Sequence, residues 1–270
     1  MFLLTNKNCP LENTMFRLLK ALPLTLAIAA LILVAASCGS SNSTEARFVN
    51  AIQDTDDYGG QNAALDVEVN TTKIFSDVAF GAAASSSYKG IPSGSDTIEG
   101  FEANSTTEVF KNTNVGLNSG TQYTLVATGF ATGSNGANVV LLTPTDNNTA
   151  PANGSVSFRV INASPSGPSS VDVWIEPAPF TSGQLSGTAQ IPNISYRSTS
   201  NLYTTSYNSS GGGFLVFVTA SGNTSELYIN GQSIPQFGGA SEGAIRTIVL
   251  TDVANGSTMN STAIVLNDLN

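Results

Sequence analysis

The chain has 270 residues, with ten basic and nineteen acidic side chains, no histidine and a net charge of −9. So acidic a surface repels nucleic acid and anionic headgroups, and a chain without histidine offers neither a Ser-His-Asp triad nor a His metal site. Charged residues make up only 11% of it while Ser, Thr, Asn and Gly abound, a composition that suits an extracellular β protein hydrated by neutral polar groups.

In chain order, the first feature is Met15 to Cys38, MFRLLKALPLTLAIAALILVAASC. Arg17 and Lys20 precede an apolar run from Ala21 to Ala36, and Ala35, Ala36 and Ser37 lead into Cys38. Three readings compete. A membrane span is disfavoured by a run short of the ~20 residues a bilayer needs and by Pro23 inside it. An ordinary cleaved signal leaves the cysteine a coincidence. A lipoprotein signal peptide ending at a lipidated Cys38 uses every feature, although Ala35 stands where Leu, Val or Ile is usual. Met15 opens a more typical signal than Met1 does. Cys9 would leave with the signal and Cys38 would be acylated, so no thiol would remain for a disulfide or a nucleophile. Gly39, rather than Asp, points to the outer membrane or cell surface more than to the inner membrane. Removing 1–37 takes away three basic residues and one acidic residue, leaving seven against eighteen and a charge of −11.

A polar tether follows over 39–45, opening GSSNST. It reaches only about 20 Å, which keeps the next segment near the membrane. Beyond it, period-two alternation between turn residues predicts strands. Leu65, Val67 and Val69 should face a core while Asp66 and Glu68 face water, and Val171, Val173 and Ile175 repeat the pattern.

Four blocks recur in the same order. Arg47–Ala51 is matched by Arg159–Ala163, and Ala64–Val69 by Ser170–Ile175. Gly120–Val126 is matched by Gly243–Val249, and Val139–Thr143 by Ala263–Asn267. Such order implies a tandem repeat. The expected division is a signal peptide over 1–38, a tether over 39–45, one β-sandwich over 46–143, a linker over 144–153 and a second sandwich over 154–270. The fold class is therefore all-β: two antiparallel immunoglobulin-like sandwiches after an N-terminal signal helix.

The string Arg159-Val160-Ile161-Asn162-Ala163-Ser164-Pro165, followed by Val171-Asp172-Val173-Trp174-Ile175, resembles the bacterial domain of unknown function numbered 4397. Asp77–Gly81 and Tyr123–Ala127 look like further blocks of that family. The resemblance spans nearly all of both halves. Asn50 and Asn162 stand where the family usually carries His, and Ile52-Gln53 replaces Ser-Pro in the first half. What it implies is a secreted or surface-anchored β domain, often in tandem, without an established reaction.

Several residues are candidate sites. Arg47 with Asp66, and Arg159 with Asp172, sit at matching places and suggest cross-strand ion pairs, with a ligand-carboxylate clamp as the functional alternative. Asp54, Asp56 and Asp57 lie in an acidic loop that partly fits a calcium loop, with Gly59 at the sixth place. Tyr58 occupies a ligand place there, and Leu65 stands where the bidentate Glu belongs. Trp174 falls in the outward phase of its strand, where it would pack on the neighbouring domain or stack on a sugar or a partner. Ser86–Lys89 fits S-x-x-K only formally, since the companion elements of serine acyl enzymes are missing.

The expectation is a noncatalytic lipid-anchored envelope protein whose domains serve adhesion, envelope structure or partner binding, with no cofactor. Its partners would be membrane lipid through acylated Cys38, and envelope proteins or glycans. A carbohydrate- or calcium-binding surface module is the alternative, and a carboxylate-based hydrolase a more distant one.

Overall fold

The computed structural model describes residues 43–53, 64–83, 87–131, 139–180, 182–207, 213–234, 243–252 and 261–269. Residues 43–270 form one compact unit. The first half supplies β1 (Thr44–Gln53), β2 (Leu65–Val69), β3 (Thr72–Val78), β4 (Ala82–Ala83) and β5 (Lys89–Ile91). It continues with β6 (Gly94–Glu102), β7 (Glu108–Leu117), β8 (Gln122–Phe130) and β9 (Val140–Leu142). The second half supplies β10 (Ser155–Asn162), β11 (Ser170–Pro177), β12 (Ile191–Ser195) and β13 (Tyr203–Ser206). It ends with β14 (Phe214–Ala220), β15 (Leu227–Ile234), β16 (Ile245–Asp252) and β17 (Ser261–Leu269). A 3-10 turn at Ser182–Gln184 is the one helical element among the described residues.

The fold is all-β. The strands form four sheets, two in each half, with corresponding orders. The outer sheet of the first half runs β3-β2-β6-β7, and that of the second β12-β11-β14-β15. The inner sheets run β4-β1-β8-β9, with β5 also on β1, and β13-β10-β16-β17. The four repeated sequence blocks fall on β1 and β10, β2 and β11, β8 and β16, and β9 and β17. Outer sheets are wholly antiparallel. Each inner sheet departs from the antiparallel expectation by one parallel pair, β1 with β8 and β10 with β16. The chain leaves β1 to build the opposite sheet and returns on β8 running the same way, which a hairpin cannot do.

Alternation assigns each face. Ala46, Phe48 and Ile52 of β1 enter the first core with Leu65, Val67, Val69 and Phe75. Phe48 and Phe75 span that core with ring centroids 5.8 Å apart. Val160 of β10 enters the second core with Val171, Val173 and Ile175. Phe158 and Phe214 bridge its two sheets edge-on at 5.1 Å. Burying each such side chain contributes roughly 1.5–3 kcal/mol.

The second face of the inner sheets is also buried. Val49, Ala51 and Val126 pack on Ile161, Ala163, Val249 and Leu266. The inner sheets therefore meet back to back, and β1 and β16 are buried along nearly their whole length. This join positions every feature of the candidate site.

Candidate functional site

Arg47 and Arg159 occupy the second face of β1 and β10, pointing into the join rather than into their own cores. Arg47 is 0% exposed and Arg159 6%. A guanidinium so buried must be paired. Arg47 donates through Nε to Thr124 Oγ1 (2.9 Å), through Nη1 to the Asn267 carbonyl (3.0 Å) and through Nη2 to Asp268 Oδ1. Arg159 donates through Nε to Thr247 Oγ1 (3.1 Å), through Nη1 to the Thr145 carbonyl (2.7 Å) and through Nη2 to Asp146 Oδ1 (2.5 Å). The crossed distances are longer, 3.7 Å for Arg47–Asp146 and 3.8 Å for Arg159–Asp268. Two cations meet two carboxylates at ion-pair distance, and the buried Arg246 guanidinium also acts on Asp268.

The threonines orient the acids. Thr124 Oγ1 donates to Asp146 (2.7 Å to Oδ2) and Thr247 Oγ1 to Asp268 Oδ2 (2.6 Å). Tyr88 closes one side: the Arg47 guanidinium lies 5.0 Å over its ring, and its hydroxyl donates to Asp146 Oδ2 at 2.6 Å. Burial and the neighbouring Asp146 charge push the Tyr88 phenol well above its ordinary value, which keeps it a donor. Asp146, expected within a linker, is pinned to the first half by its N–H on the Gln122 carbonyl (2.8 Å). Beside the cluster opens a cavity of about 490 Å³, bordered by Thr145, Asn147, Ser200, Leu202, Arg159 and Asp268.

The expected pairs Arg47–Asp66 and Arg159–Asp172 do not form. Both aspartates lie on outer sheets, while both arginines face away from those sheets. Each Asp instead fixes two left-handed backbone positions. Asp66 accepts the N–H of Asp77 (2.9 Å) and Asn104 (3.1 Å), at φ 54° and 59°. Asp172 accepts the N–H of Asn193 and Gly222 (both 2.8 Å), at φ 56° and 78°. Asp66 also takes the Lys73 ammonium at 2.6 Å. Burial raises both pKa values, but hydrogen bonds outweigh it and hold both below the ordinary aspartate value: Lys73, Asp77 and Asn104 for Asp66; Gly222, Asn193 and Ser221 for Asp172. These side chains brace turns.

Trp174 is 3% exposed, contrary to both expectations for it. It is in the outward phase, yet Leu185 and Ala189 cover it together with Phe217 and Phe180 from its own half. Its Nε1 donates to Thr219 Oγ1 at 3.2 Å. So covered, it presents no ring to a sugar, and among the described residues its packing partners lie in its own half. Asn50 and Asn162 are buried ties, donating to the Val78 carbonyl (3.0 Å) and the Ile194 carbonyl (3.1 Å).

At another part of the join, Asp252 accepts from Ser164 Oγ and from the Ser166 N–H (3.1 Å), while Ser166 Oγ donates to Gln53 of the first half (2.7 Å). Burial raises the Asp252 pKa against the hydrogen bonds from Ser164 and Ser166. Cys38 and the candidate calcium ligands Asp54, Asp56 and Asp57 lie outside the described residues. Among the described residues no group of three or more Cys, Asp or Glu is placed to hold a metal.

Sequence reasoning marked Arg47 and Arg159 but missed their partners Asp146, Asp268, Thr124 and Thr247. One signal was available: Thr124 and Thr247 stand at the same place in matching blocks.

No curated protein matches the chain in sequence. A solved structure of a "putative cell adhesion protein" from Bacteroides fragilis aligns at 10% identity, over 84% of this chain and 97% of that one. Its TM-score of 0.20 gives the likeness no weight for fold or function. The family described as Domain of unknown function (DUF4397) matches residues 44–174, from β1 through the first half and on to Trp174 in β11. Over that stretch the chain resembles that family; the match ends at Trp174 and does not extend over the rest of the second half, where the motifs implied a second copy.

Proposed function

We propose that the chain is a noncatalytic, lipid-anchored protein of the cell envelope, outer membrane or cell surface in preference to inner membrane. In this reading Cys38 carries the lipid, and the two halves are tandem copies of one β module displayed for adhesion, envelope structure or partner binding. The observation that carries it is the cluster of Arg47, Asp146, Arg159 and Asp268. Its charges fasten one half to the other, so the few charged side chains of this chain hold a display body together. Partners are membrane lipid through Cys38, and envelope proteins or glycans reached by the neutral polar surface.

Two measurements test the reading. Cys38→Ala should move the protein from the membrane fraction to the soluble extracytoplasmic fraction, and undiminished retention counts against the lipid tether. The body from Gly39 onward should capture an envelope protein or a glycan in a pull-down and on a glycan array. Turnover of a glycan substrate by that body would replace the reading with a hydrolase.

A further inference from the structure

The charged cluster and the apolar centre of the join are unchanged when the two halves exchange names. Strand register sets the equivalence. Arg47 faces Thr124 as Arg159 faces Thr247, and Tyr123 faces Thr145 as Arg246 faces Asn267. Each arginine uses Nε on the threonine of its own half, Nη1 on a carbonyl of the other, and Nη2 on the carboxylate that follows that carbonyl. The apolar part obeys the same exchange, with Val49, Ala51 and Val126 answering Ile161, Ala163 and Val249. Contacts at its margins depart from it: Tyr88 lies on Arg47 and Asp146 alone, Ser166 Oγ meets Gln53 with no reciprocal bond, and Thr128 Oγ1 donates to the Ala163 carbonyl (2.8 Å) while its counterpart Thr251 Oγ1 is buried without a partner among the described residues.

Reciprocity of this kind, residue i on j and j on i, is the mark of an isologous interface between two copies of one surface. Here both copies lie on one chain. We infer that this face also takes a second copy of the chain, the first half of one molecule seating on the second half of another through Arg47–Asp268 and Arg159–Asp146. Nothing in the charge or apolar pattern distinguishes a chain's own half from a foreign one. Only the connection from Asn147 to Gly154 favours the internal partner, by holding it at an effective concentration on the order of millimolar. Chains crowded on a membrane approach that regime. The inference rests on the envelope reading only for where chains would meet, and the geometry stands without it.

The test uses the body from Gly39 onward with Thr149–Ala152 deleted, which removes on the order of 13 Å of extended reach. Light scattering should find a dimer in place of a monomer, and Arg47→Ala in the same deleted chain should return it to monomer. A deleted chain that stays monomeric, aggregates without a defined mass, or dimerises regardless of Arg47 overturns the inference. The intact body, refolded from denaturant at rising concentration, supplies a second arm. Its dimer fraction should rise about tenfold per tenfold increase in concentration while dimers are scarce, and monomer alone at every concentration overturns the inference as well. Neither arm involves Cys38, so failure here leaves the anchoring test untouched.

Discussion

Arg47 on the first strand donates to Asp268 on the last, across 221 residues of sequence. Its equivalent, Arg159, reaches only 13 residues back to Asp146, because the chain passes from one half to the other between them. The two bonds play the same part at very different loop-closure lengths. Both lie in a nearly dry setting, with side-chain exposures of 0% and 2% for the first pair and 7% and 0% for the second.

Removing one member of this cluster takes the closest partner from a buried opposite charge and leaves the cluster with one charge in excess. Arg47→Met or Asp268→Leu should each lower stability by about 3–5 kcal/mol. Arg47→Met combined with Asp268→Leu should cost less than the two single changes together, since no net charge is then stranded. Urea unfolding of the four proteins gives the cycle, and additive losses would deny the coupling.

Gly100 of β6 has no room for a side chain. A Cβ there would lie 2.1 Å from Cε1 of Phe110, whose ring stacks on Phe48 at 6.5 Å. Gly100→Ala should therefore destabilise by overpacking, about 1–3 kcal/mol. Phe110→Leu in the same chain should recover part of that loss, and thermal melts of the single and double variants check it.

The aspartates give the acid limb of stability a sign. Asp66 and Asp172 have depressed folded values, so their contribution is complete above the ordinary aspartate range near ~3.9 and is lost as pH falls through the folded values. Asp252 has a raised folded value and works oppositely, its charged form costing stability at neutral pH that returns on protonation. Asp66→Asn and Asp172→Asn should flatten the fall in stability below pH 4, while Asp252→Asn should remove a gain in stability that the parent protein makes as pH falls towards 4. Melting temperature against pH for the three variants is the measurement.

Trp174 is the sole tryptophan, so fluorescence reports its site alone. Emission should be blue-shifted and nearly insensitive to iodide in the native protein, becoming red-shifted and quenchable on unfolding. Trp174→Ala should cost about 3–5 kcal/mol as a large-to-small core change. Efficient iodide quenching under native conditions would contradict the burial by Leu185 and Phe217.

Much of this architecture is written in local pattern. Period two places Leu65, Val67 and Val69 inside whatever sheet they join, and the repeated blocks mark strands that turn out to occupy equivalent places. The recurrence of Arg47 and Arg159 likewise signals a shared duty before any coordinate is known. Alternation says which residues share a face, but it does not say what covers that face. Asp66 and Asp172 look like natural partners for the arginines because they lie in the same halves, yet they sit on other sheets and brace turns. Trp174 points outward as its phase requires, and only the packing of Phe180, Leu185 and Ala189 against it makes it core. Sequence by itself determined strands and faces, because those follow from the pleat of each segment, and it showed which blocks recur. Tertiary structure decided who meets whom, because partners such as Arg47 and Asp268 are set by how whole sheets stack, an arrangement that no local window contains.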